Sequence, residues 1–108
     1  MNMLVLNVMP LSFTRPLESD LERTASVFST LANSIRLAIF CRIIEREWSV
    51  NELADDIGLS QSALSQHLRK LRDAKVVKTR RDRQTVYYRC DDTRVLDLLT
   101  QTGLIGSP

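Results

Sequence analysis

Residues 58–72 read Gly-Leu-Ser-Gln-Ser-Ala-Leu-Ser-Gln-His-Leu-Arg-Lys-Leu-Arg, with Leu64, Leu68 and Leu71 spaced four and three apart. That spacing draws one apolar stripe along one side of an α-helix. Ser62, Ser65, Gln66 and Arg69 then point the other way, so the outer face carries short polar groups first and cations later. Upstream, Ser49–Ile57 is a second amphipathic stretch with Val50, Leu53, Ala54 and Ile57 on its inner side. Gly58 stands between the two, where a tight turn needs a backbone free to take positive φ. The pattern is that of a helix-turn-helix. Ser, Gln and Arg side chains hydrogen-bond the edges of base pairs, and an α-helix fits the major groove. Helical pairs joined through a glycine also occur in domains that never meet nucleic acid, so the segment that follows decides.

There the pattern changes from helical to alternating. Val76–Arg81 and Gln84–Arg89 are β-prone runs separated by Asp82 and Arg83, which reads as an antiparallel hairpin. Its tip gathers Lys78, Arg80, Arg81 and Arg83. Residues 60–94 carry ten Lys/Arg against four Asp/Glu, net +6, whereas residues 1–59 carry five against eight, net −3. The formal charge of the whole chain, +2, hides this polarity. A basic field confined to one third of the sequence is the footprint of a polyanionic partner. Helix and hairpin together predict a wing beside a recognition helix, both facing double-stranded DNA. Gln61, Ser62, Ser65, Gln66 and Arg69 are the candidate contacts on the helix, and Lys78, Arg80, Arg81, Arg83 and Gln84 those on the wing. A winged helix used for protein–protein contacts is the rival reading, disfavoured by this polar face and basic wing.

The remaining boundaries are modest. At 108 residues, 44% hydrophobic and 26% charged, the chain suits one small domain helped by burial in an oligomer. Met1–Met9 is apolar, but it lacks a basic leader and a cleavage site and Pro10 interrupts it. Residues 1–16 therefore read as an arm, 17–102 as the domain and 103–108 as a tail, in a protein expected in the cytoplasm and off the membrane. A first helix is predicted over 17–32, with Leu21, Ala25, Phe28 and Leu31 or Ala32 on one face. A second is capped by Asn33 and runs to about Glu47, Trp48 and Val50 form a brief strand, and a last helix spans 92–102. The fold class is mainly α with a small β-hairpin. With three glycines and no Cys/His/Asp constellation, nothing points to an enzyme.

From Val27 to Arg89 the chain resembles the ArsR/SmtB family of winged-helix repressors. The resemblance rests on Leu31-Ala-Asn-Ser-Ile-Arg-Leu-Ala-Ile39, on Ser65-Gln-His-Leu-Arg-Lys-Leu-Arg72 and on Arg80-Arg-Asp-Arg-Gln-Thr-Val-Tyr-Tyr88. Leu59–Leu68 and Gln84–Tyr87 are similar to the branch holding the nodulation repressor and the thiol-responsive haemolysin and biofilm regulators. The family implies a homodimer, paired through the first and last helices, that sets two recognition helices on an inverted-repeat operator. Two departures stand out. Lys75 occupies the place of a glycine after the recognition helix, and Arg83 that of a glycine at the wing tip. Lys takes positive φ only at an energetic cost, so a differently built helix exit and an altered wing turn are expected.

No metal or other cofactor is expected. The helix over 49–57 contains no Cys, the last helix offers only Asp92 and Asp97, and the one histidine, His67, reads as a packed residue of the recognition helix. Cys41 and Cys90 are the candidate redox pair. Cys41 matches a cysteine of the thiol-responsive branch, but that branch places its partner in the last helix, where this chain has none. The bland alternative is that both are small apolar core residues. The effector stays open.

Overall fold

In the computed structural model, which describes residues 15–106, the chain runs α1 (Glu18–Leu31), α2 (Ser34–Ile43), β1 (Trp48–Ser49), α3 (Val50–Ile57), α4 (Gln61–Asp73), β2 (Lys78–Asp82), β3 (Thr85–Arg89) and α5 (Thr93–Gln101). The expected arm, apart from residues 15 and 16, lies outside the described residues. The mainly α fold with a hairpin is the one the sequence predicts, and the sheet gains a third strand, in the order β1-β3-β2.

Local chemistry explains the helix boundaries. Ser49 launches α3 through a reciprocal cap: its hydroxyl accepts the Glu52 N–H at 3.1 Å, and the Glu52 carboxylate accepts the Ser49 N–H at 2.8 Å. At the other end Gly58 takes φ +83°, and the Leu59 N–H reaches the Ala54 carbonyl at 3.0 Å. Ser60 then caps α4, its hydroxyl accepting the Ala63 N–H at 3.2 Å. The motif is thus closed by bonds that Ser49, Gly58 and Ser60 supply. Leu64, Leu68 and Leu71 are fully buried with Ile39, Phe40, Ile43, Leu53 and Val95, so α4 is held by its apolar stripe. Truncating one such leucine to alanine costs about 2–5 kcal/mol.

Three expectations are corrected. The second helix stops at Ile43 rather than Glu47, because the Ile43 carbonyl accepts the Cys90 N–H at 2.9 Å and is no longer free for a helical partner. The next residues turn so that Trp48 and Ser49 pair with Tyr88 and Tyr87, and Val50 begins α3 instead of extending the strand. The wing loop is Arg83-Gln84 rather than Asp82-Arg83, since Asp82 pairs with Thr85 as the last rung.

The two departures from glycine have a simple outcome. Lys75 and Arg83 adopt φ of +59° and +60°, so both hold the left-handed conformation without a glycine. The helix exit and the wing turn are therefore not rebuilt around the larger side chains; the backbone carries the strain. Lys75→Gly is expected to raise stability by about 0.5–1 kcal/mol in urea unfolding. Lys75→Ala, which keeps the strain, should stay close to wild type. Equal midpoints for the two variants would show that residue 75 is not left-handed in solution.

Candidate nucleic-acid interface

The buried stripe of α4 fixes what its other side offers. Gln61, Ser62, Ser65, Gln66 and Arg69 are all exposed. They fall into separate neighbourhoods. Gln61 donates to the Asn51 amide oxygen and borders a recess shared with Gln84, so the start of α4, the start of α3 and the wing tip meet. Ser65 borders a cleft of about 430 Å³ between α4 and the wing, together with Arg72, Arg81 and Tyr88. Gln66 and Arg69 lie on the other side with Lys70 and Asp73, and Arg69 stands 3.9 Å from the Asp73 carboxylate. Nothing in the local sequence pattern marks Asn51 or Arg72 as part of this surface. Asn51 sits in the first turn of α3, where its nearness to Gln61 depends on the tight turn. Arg72 donates to the Tyr88 hydroxyl and so ties the end of α4 to the buried side of the wing.

Strand pairing sorts the wing cations by face. Arg81 lies opposite Val86 and Thr79 opposite Tyr88, on the side turned to α4, while Lys78 and Arg80 pair with Arg89 and Tyr87 on the other side. Arg80 is held there by a two-pronged contact: Nε and Nη2 donate to the Glu47 carboxylate at 3.0 and 2.7 Å. Its guanidinium also stacks 4.4 Å from the Tyr87 ring centre. Lys78 donates to Asp91 at 2.9 Å. Hydrogen bonding from Arg80 holds Glu47 below the usual carboxylate range, and Lys78 does the same for Asp91. Two of the four candidate cations on the wing are therefore paired with carboxylates. Arg81 and Arg83 are exposed, Arg83 at the first position of the turn, beside Gln84. A polar helix face flanked by a basic strand pair and tied to it through Arg72 is a surface shaped for a double helix.

A family model described as "bacterial regulatory protein, arsR family" matches residues 33–79, which hold α2 to α4 and the start of the wing. The chain is 33% identical over 93 residues to the biofilm growth-associated repressor of Xylella fastidiosa, covering 86% of this chain and 82% of that protein. This chain belongs to the arsR family of bacterial regulatory proteins. It is also 49% identical over 80 residues to the nodulation protein NolR of Rhizobium meliloti, a stretch that is 74% of this chain but 66% of NolR. Among solved structures it is similar to the homodimeric winged helix-turn-helix DNA-binding domain Mb0332 (fragment 1–100) of Mycobacterium bovis, with a TM-score of 0.74, 25% identity and 88% of each chain covered. The branch read from Leu59–Leu68 and Gln84–Tyr87 agrees with these relatives.

The candidate redox pair is Cys41 and Cys90. Both are free, Cys41 half-buried on α2 and Cys90 buried just after β3. Burial pushes both thiols above their ordinary pKa. Among the described residues no three His, Cys, Asp or Glu side chains converge as a metal would require, and no single helix is long and apolar enough to cross a membrane. His67 is half-buried on α4 and faces the Arg36 guanidinium at 3.4 Å. The pairing of Arg80 with Glu47 has a measurable consequence. Glu47→Gln should steepen the salt dependence of binding to any duplex by about one unit, because an arginine beside the DNA loses its internal counter-charge. An unchanged slope would show that Arg80 lies away from the phosphates.

Proposed function

We propose that this chain is a sequence-specific transcriptional repressor that binds an inverted-repeat operator in double-stranded DNA as a homodimer. The observation that carries the reading is the exposed polar face of α4, held outward by its buried leucines and flanked by a basic wing. Gln61, Ser62, Ser65 and Gln66 occupy the first two turns of α4, the part of a recognition helix that enters the groove. They read sequence. Arg81, Arg83 and Arg69 bind phosphates, and Gln84 completes the wing tip. Lys78 and Arg80 contribute to the wing through their pairs with Asp91 and Glu47 and act on the phosphates only as those pairs loosen.

Dimerisation is supported by the one-sided surface of α1. Leu17, Leu21 and Phe28 are 68%, 51% and 54% exposed, an unusual state for large apolar side chains on one helix and its approach. Phe28 continues into an open apolar groove of about 430 Å³ with Leu31, Ala32, Leu37, Leu98, Leu99, Thr102 and Leu104. The groove joins the first and last helices, the two segments expected to pair, and the Mycobacterium bovis domain is homodimeric. A two-fold axis through this face would present two copies of α4 about 34 Å apart along the DNA.

Reading and anchoring have different signatures. Gln66→Ala is expected to weaken the selected operator by about 1–3 kcal/mol while leaving scrambled duplex unaffected. Arg81→Ala should weaken all duplexes alike and lower the salt slope by about one unit. Equal losses on operator and scrambled DNA for Gln66→Ala would remove α4 from sequence reading at that position. Light scattering tests the assembly: a dimer is expected for wild type and a monomer for Phe28→Asp, and a wild-type monomer at micromolar concentration would overturn it.

A further inference from the structure

Arg36 is the one buried charged side chain among the described residues, 8% exposed, and no carboxylate lies within bonding distance of it. Its neutralising partners are dipoles. Nε donates to the Thr30 carbonyl at 2.7 Å and Nη2 to the Ser29 carbonyl at 3.3 Å, both in the last turns of α1, where the helix dipole is negative. Nη1 faces His67 Nδ1 on α4 at 3.4 Å. A guanidinium only donates. The contact therefore requires an unprotonated Nδ1, with the ring proton on Nε2. One arginine of α2 thus spans from the end of the helix proposed for dimerisation to the middle of the helix proposed for DNA reading.

We propose that Arg36 and His67 are positioning residues that set the recognition helix against α1, and that protonation of His67 breaks this link and releases DNA. This rests on the DNA-reading role of α4. Protonation turns Nδ1 from an acceptor into a donor and puts two cations face to face. The charged groups acting on the ring are Arg36 from α2 and Lys70 from its own helix, while α1 offers only carbonyls already bound to Arg36. Burial first, then Arg36 and Lys70, hold His67 below its ordinary pKa. Its proton is thus excluded near neutrality and taken up only as the pH falls below about 6.5. The unfolded chain binds that proton more readily, so stability also declines over the same window. Both thiols are pushed upward, away from it. His67 is thus a side chain placed to report acidification below the ordinary histidine range.

The test uses the full, untagged 108-residue chain, in which His67 is the only histidine and its ring signals need no assignment by mutation. The probe is the duplex of about 30 base pairs that wild type selects from random sequence at neutral pH, long enough for two half-sites. Wild-type affinity is expected to fall at least about fivefold from about pH 7.5 to about pH 5, with circular dichroism showing the chain still folded. His67→Asn offers an amide oxygen near the Nδ1 position and cannot titrate. It should bind within about twofold of wild type at neutral pH and lose the acid step. His67→Leu should bind more weakly at every pH. Nitrogen-15 spectra of the ring should show the Nε2–H tautomer and a midpoint below the ordinary histidine value. An acid step that survives in His67→Asn, or a ring protonated on Nδ1 at neutral pH, overturns the proposal. If wild type selects no duplex at all, the DNA-reading role fails and the proposed release fails with it. The ring tautomer then still reports whether the Arg36 contact itself exists.

Discussion

The burial of Leu64, Leu68 and Leu71 is the constraint on which the rest depends. A helix has one orientation that hides these three side chains, and any rotation large enough to expose Ser65 less would expose a leucine more. Each leucine contributes about 1.5–3 kcal/mol by leaving water. The polar residues of α4 supply little of that energy; they are free to be chosen for what they meet outside. Stability and recognition are thus divided between the two sides of one helix. Gly58 and the caps at Ser49 and Ser60 then determine how α3 and α4 meet, and the Arg72–Tyr88 contact carries the same orientation into the wing.

The wing shows a second division, between cations used inside the protein and cations left for a partner. Arg80 and Lys78 lie on one face of β2 and are met by Glu47 and Asp91; Arg81 lies on the other face and Arg83 at the tip. The ion pairs are exposed, and such pairs add little to stability. Their effect is on geometry. Glu47 precedes β1, so its grip on Arg80 clips the outer strand of the sheet to the strand at its opposite edge. A hairpin of two short strands is marginal alone; with β1 beside β3 and this clip across the sheet, the wing becomes a fixed companion to α4.

Much of this was legible in the sequence because it is written in local patterns. The spacing of Leu64, Leu68 and Leu71 and the turn at Gly58 both lie within a few residues. So does the alternation of Thr85–Arg89. The resemblance to a family gave the order of elements and the departures at Lys75 and Arg83, but not their outcome, since a sequence does not say whether a backbone will bend to a side chain or strain it. The errors came from contacts that the residue pattern alone does not decide. The end of α2 is decided by the Cys90 N–H, and the wing turn by the pairing of Asp82 with Thr85. The engagement of Arg80 by Glu47, 33 residues away, depends on the order of three strands. Charge counting located the basic segment correctly and could not tell which of its cations were already paired.

The Leu21–Phe28 face illustrates how a sequence pattern changes meaning once the fold is known. Read as a stripe, Leu21, Ala25 and Phe28 would be the inner side of α1. In the protomer that side is exposed, and α1 buries Val27, Thr30 and Leu31 instead. A helix with apolar side chains on both sides has two contacts to make. One is with α2, which α1 meets at 92°, and whose Arg36 binds the last carbonyls of α1. The other is the one proposed with a partner subunit. Thr30 and Phe28 stand within one turn of each other, so the outer face of α1 lies close to the carbonyls that hold Arg36. Arg36 in turn faces His67, one residue from Gln66. The same few residues that would feel a partner subunit therefore adjoin those proposed to read DNA, with only one buried guanidinium between them.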